Sequence, residues 1–216
     1  DKSRIAQVPY GVDGELFHPR QRQHRAAVRR ELGIPAEARV VLSVAAVKRD
    51  HKRIDYLIEE VARLEPDTWL LVAGQRTEDT ALLESLAERR LPGRWRFVSW
   101  PHERVAQLYG AADVFVLCSL NEAFGLVSIE AMLSELPVVL HHGPVFRWLA
   151  RGTSARLLDM QSSGALAAAL KDVLAEASGA GQCGLLRQTR EAACQRFSWR
   201  EILPQYIDLY RAAVAH

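Results

Sequence analysis

Cysteine is scarce and scattered, with three in 216 residues at Cys118, Cys183 and Cys194. That is too few for a disulfide framework, and Cys118 falls in an apolar run, so a reducing cytoplasm is the expected compartment. No apolar run approaches the roughly 18 residues of a membrane span, and no signal-peptide pattern opens the chain. Charge of one sign is lacking as well: the net charge is +2, and no arginine-lysine block forms a polybasic arm. Nucleic acid is therefore not an expected partner, and membrane contact is left open. Neither an internal repeat nor a low-complexity tract is present, which excludes solenoid architectures. A starting methionine is missing too; the chain opens on Asp1-Lys2-Ser3 and is expected to be a piece of something longer.

What is present is the composition of an ordinary globular protein, 49% apolar and 25% charged, long enough for one large domain or two small ones. Short apolar runs alternate with helical patterns. Expected strands are Val40–Ala45, Trp69–Ala73, Arg96–Val98, Val114–Leu117, Pro137–Leu140 and Ala155–Leu158. Helices are expected over Gln21–Leu32, around Ile54 to Leu64, Leu82 to Ala87 and Val105 to Tyr109, and from about Phe124 onward. After Leu140 a loop precedes the sixth strand, and a helix follows around Leu166, Leu170 and Leu174. Ile5–Pro9 is a short apolar segment, Ala177–Gly181 a flexible break, and two helices close the chain. The expected class is α/β, a doubly wound parallel sheet of about six strands with helices on both faces.

The stretch Asn121–Met132 organises the rest. It joins the fourth strand to a helix, and such a turn at the carboxyl end of a parallel strand is where open α/β sheets place ligands. Unpaired amides at the helix start, here Phe124, Gly125, Leu126 and Val127, suit a phosphate. Two glutamates bracket that seat: Glu122 on the rim, and Glu130 one to two turns in, about 9 Å along the axis. Glu130 leans back toward the helix start. A diphosphate on the amides would show one hydroxylated end to each carboxylate, which is the layout of a nucleoside diphosphate sugar. The plainer alternative makes Glu122 a helix-dipole partner and Glu130 a solvated helix residue.

Loops after successive strands share one sheet edge. The first carries Lys48, Arg49, Asp50, His51, Lys52 and Arg53; its cations could neutralise a diphosphate, with Lys52 the best placed, or form a solvated charge run. The second carries Gly74, which permits close backbone approach. The third, Trp100-Pro101-His102-Glu103, offers an apolar wall for a base, or ordinary packing by Trp100. The fifth holds His141 and His142. Adjacent histidines do not readily chelate one ion, and no third ligand stands at a helical spacing, so no metal and no cofactor are expected.

With these residues in place, the chain resembles the C-terminal, donor-binding domain of a retaining family-4 glycosyltransferase of the GT-B fold. The resemblance rests on Val8-Pro9-Tyr10-Gly11-Val12-Asp13 with Phe17, on Lys52, on Glu122 and Glu130 with seven residues between them, on Pro137-Val138-Val139, and on the closing Phe197-Ser198-Trp199 helix. It implies one Rossmann-like half of a two-domain architecture, with residues 1–18 as an inter-domain segment, 19–197 as the nucleotide-sugar-binding domain and 198–216 as a helix crossing toward a missing N-terminal domain. Glu122 would then bond the transferred sugar as the catalytic carboxylate, Glu130 the donor ribose and Lys52 the diphosphate, without an obligatory metal. Three positions depart from the family: Ala45-Ala46 stand where an arginine is usual, Glu135 replaces a glycine and Tyr10 an asparagine. Since acceptors lie mainly on the other domain, the isolated chain is expected to bind nucleotide sugar weakly and to transfer little. A nucleotide-sugar epimerase or phosphorylase of the same fold, or a nucleotide-binding module without catalysis, stay open as alternatives.

Overall fold

The computed structural model describes residue 6 and residues 8–176 and 180–214. Ile5 and Gln7 of the opening apolar segment, and most of the expected break at 177–181, lie outside the described residues.

Six strands form one sheet: β1 (Arg39–Val44), β2 (Thr68–Ala73), β3 (Trp95–Val98), β4 (Val114–Leu117), β5 (Val138–His141) and β6 (Arg156–Leu158). Their order is β3-β2-β1-β4-β5-β6, and every neighbouring pair is parallel. Val40, Val41 and Leu42 of β1 and Leu70, Leu71 and Val72 of β2 have no exposed surface, which is why these runs are apolar throughout instead of alternating. At about 1.5–3 kcal/mol for each fully buried aliphatic side chain, the central strands anchor the fold.

Nine helices are described: α1 (Arg25–Glu31), α2 (Ile54–Val61), α3 (Thr80–Arg90), α4 (His102–Ala111), α5 (Leu126–Leu133), α6 (Pro144–Leu149), α7 (Ala165–Glu176), α8 (Ala180–Phe197) and α9 (Trp199–Val214). α2, α3 and α7 pack together, as do α1 with α4 and α5 with α8, so both faces of the sheet are covered. Two expectations need correction. The helix expected over Gln21–Leu32 is a 3-10 turn, Pro19–His24, followed by α1, because proline opens the turn and Arg25 and Arg29 must swing inward. The loop expected after β5 contains α6, a short helix whose Phe146 and Leu149 are fully buried.

Buried charge ties these layers together. Arg29, 2% exposed, donates to the carbonyls of Ala36, Ala38 and Ala111 and to Asp113 Oδ2 at 2.8 Å, while Arg25 takes the other Asp113 oxygen. Glu60 caps α7 by accepting from the Gly164 and Ala167 amides at 2.7 and 3.0 Å. At the end of α5, where a glycine would be usual, Glu135 adopts φ 55° and Leu136 N–H closes back on the Ala131 carbonyl at 3.1 Å. The segment before the domain is not loose: Val12 N–H donates to Phe197 O, and Trp199 N–H to Val12 O, at 2.7 and 3.1 Å.

Candidate functional site

The strand order reverses direction between β1 and β4, so the loops leaving their carboxyl ends diverge to opposite faces and leave a crevice. Lys52 stands in the loop after β1 and Glu122 in the loop after β4, and the crevice brings them together: Lys52 Nζ donates to Glu122 Oε1. His51 Nε2 lies 3.7 Å from the same oxygen. His51 (φ 58°) and Arg53 (φ 52°) are both left-handed, so Lys52 is carried between two residues in a sparsely populated conformation. Arg53 is held there by donating to the Met160 carbonyl at 2.7 Å and by lying over the Tyr56 ring.

A cavity of about 490 Å³ opens beside this ion pair, bordered by Ala45, Lys52, Gly74, Glu122, Gly125 and Val127 among others. Gly125 caps α5 at φ 85°, a conformation that favours glycine, and aims the first amides of the helix at the cavity. Gly74 has a different reason to be glycine: a Cβ there would stand 2.0 Å from the Ala45 carbonyl oxygen, so β1 and β2 meet too closely for any side chain. Behind the helix mouth, Phe124 meets Tyr10, Trp148 and Phe197 edge-on at 5.4, 5.8 and 6.1 Å, fixing the loop between Glu122 and Gly125.

The two glutamates sit in opposite electrostatic settings. Burial alone would raise the Glu122 pKa, but the hydrogen bond and charge of Lys52, with His51 nearby, hold it below the ordinary value. Glu130 is 9% exposed, and burial raises its pKa over the opposing effects of a 2.6 Å hydrogen bond from Tyr109 Oη and the neighbouring His102.

Not every sequence candidate reaches the cavity. Lys52, Gly74, Glu122, Phe124, Gly125, Leu126 and Val127 border it; Glu130 does not, its carboxyl lying between Tyr109 and the His102 end of α4. Lys48 turns to Asp50 at 3.4 Å, and Arg49 to Asp55 at 3.6 Å in a separate groove between α2 and α3. Trp100 packs under the Arg104 guanidinium at 4.0 Å, and exposed Pro101 precedes α4. Ala45 and Ala46 leave the cavity wall apolar where an arginine is usual. The missed participants are Tyr109, whose apolar surroundings in sequence give no sign of a polar task, and His51, hidden in a charge run. The structure also corrects the reasoning about the paired histidines: a third potential ligand, Asp159 beyond β6, comes within 4.8 Å of both. His141 Nδ1, however, accepts from Met160 N–H at 3.3 Å, which puts its proton on Nε2, so the trio does not offer three free lone pairs.

Lys52, Glu122 and the start of α5 thus meet at the switch point of a doubly wound parallel α/β sheet. Residues 24–194 match the family described as glycosyl transferases group 1, and the chain belongs to that family. It is 34% identical over 223 residues to a D-inositol 3-phosphate glycosyltransferase of Corynebacterium urealyticum, covering 98% of this chain and 52% of the relative. Among solved structures it resembles the sucrose-phosphate synthase of Thermosynechococcus elongatus, with 31% identity, a TM-score of 0.83 and coverage of 96% of this chain and 52% of that one. It shares the fold of Anabaena Alr3699/HepE, solved in complex with UDP and glucose, at 23% identity and a TM-score of 0.81 over 94% of this chain and 56% of that one. The chain thus spans about half the length of these proteins. Among the described residues no helix is long and apolar enough to cross a membrane.

Proposed function

We propose that this chain is the donor-binding half of a retaining glycosyltransferase that moves a sugar from a nucleoside diphosphate sugar to an acceptor. One observation carries the reading: Lys52, Glu122 and the start of α5 surround a single open cavity at the sheet's switch point. The diphosphate would lie on the Gly125–Val127 amides with Lys52 as its cation, and charge developing on the leaving diphosphate is the largest electrostatic task of such a site. Donor binding then takes Lys52 partly from Glu122, which turns to the sugar hydroxyls. The ribose would run from the helix mouth toward Glu130. Lys52 and the amides of α5 supply the positive charge for this work, and the reading invokes no metal. A second domain would present the acceptor, so this chain alone binds donor and transfers little or nothing.

Calorimetric titration of UDP-, GDP- and ADP-sugars into the wild type and Glu130→Ala tests the reading. One donor should bind, and the variant should bind it about tenfold or more weakly, as expected for losing hydrogen bonds to a charged group. Equal binding removes the ribose role; robust sugar transfer by the chain alone refutes the division of labour.

A further inference from the structure

Tyr109 is 1% exposed, yet its hydroxyl is directed to a carboxylate instead of water. Oη lies 2.6 Å from Glu130 Oε2 and 3.3 Å from the Val127 carbonyl, and with one proton to give it donates to the closer, charged acceptor. The ring cannot drift. Phe17 meets it edge-on at 5.5 Å, and Phe115 lies against it at 5.9 Å. Phe17 also bears on His102 at 5.7 Å, the other polar group facing Glu130, so one side chain of the segment before the domain braces both. Glu130 Oε1 has no hydrogen-bond partner among the described residues, and the residue keeps a narrow 9% exposure. A carboxylate held by one oxygen in apolar surroundings, with the other left open, is preorganised for an outside donor.

We propose that Tyr109 is a positioning residue: by holding Oε2 it turns Glu130 Oε1 toward the ribose hydroxyls of a bound nucleotide, and Phe17 ties that orientation to the segment before the domain. This rests on the nucleotide reading above. Tyr109 itself touches no ligand; it fixes the direction and ionisation of the group that does.

The test is the preference for ribose over deoxyribose, measured by calorimetry with UDP, GDP and ADP and their 2′-deoxy and 3′-deoxy counterparts. The wild type should prefer the ribonucleotide by about tenfold, one hydrogen bond to a charged group. Tyr109→Phe keeps the ring and its packing, so it should bind the deoxy forms as the wild type does while the preference falls to within about twofold. Phe17→Leu should show an intermediate preference; a full wild-type preference overturns the link to that segment. An undiminished preference in Tyr109→Phe overturns the role of Tyr109. Nucleotide binding by the wild type with no ribose preference overturns the role of Glu130, and no binding at all overturns the nucleotide reading with it. Carbon-13 titration of the Glu130 carboxyl needs no ligand: Tyr109→Phe should move it to higher pH, and an unmoved titration refutes the hydrogen bond as the lever.

Discussion

Replacing Lys52 with methionine keeps most of the side chain's bulk and removes its charge, and three consequences follow from where it sits. The Lys52 and Glu122 side chains are 21% and 12% exposed, so the pair is too buried to be dismissed as a surface ion pair and too open to count as a dry one. Losing one hydrogen bond between charged groups at such depth costs about 1.5–3 kcal/mol. For a domain of this size that lowers Tm by roughly 3–10 °C. The pH dependence gives the sharper signature. Glu122 has a lowered pKa in the folded state, so its stabilisation is present above the ordinary glutamate range and disappears as pH falls through the folded value. In Lys52→Met, burial acts with less opposition, so Glu122 contributes less stability above that range. The gap between wild type and variant, from urea unfolding followed by circular dichroism, should therefore be wider at pH 7 than at pH 3. Glu122→Gln in the same background should restore part of the loss, because it removes the stranded charge. Affinity for the diphosphate nucleotide that binds should fall at least tenfold in Lys52→Met. An equal stability gap at both pH values refutes the ion pair; unchanged nucleotide affinity refutes the cation's place in the donor site.

Gly125→Ala should lower stability by about 1–2 kcal/mol, because φ is 85° and the new Cβ would sit 3.1 Å from Leu149 Cδ1. It should also weaken nucleotide binding by tilting the first amides of α5, which paired thermal melts and calorimetry would detect. Arg29→Met leaves Asp113 to Arg25 and the Val40 amide and strips the Ala36 and Ala38 carbonyls of their Arg29 donor; a loss of about 3–5 kcal/mol is expected in chemical unfolding. A loss under 1 kcal/mol would mean the Arg29 network is not what joins α1 to β1 and β4.

The sequence alone determined the strands and their kind. Continuous apolar runs such as Val40–Val44 and Trp69–Ala73 can be buried on both faces only in a parallel sheet covered by helices, and that is what forms. Local chemistry also marked Gly125 as the turn into α5 and made Glu122 and Lys52 candidates, because residue type and chain order carry that information. Distance in space was beyond it. Only the order of strands brings the loops after β1 and β4 to one crevice, so only the fold could pair Lys52 with Glu122, send Lys48 and Arg49 elsewhere, and bring Asp159 beside two histidines. α6 escaped because a helix of one and a half turns has too few residues to show a period; its burial, not its pattern, sustains it. The environment of Glu130 escaped for the same reason of range: Tyr109 lies 21 residues away along the chain, and hydrogen bonding across that separation is decided by packing.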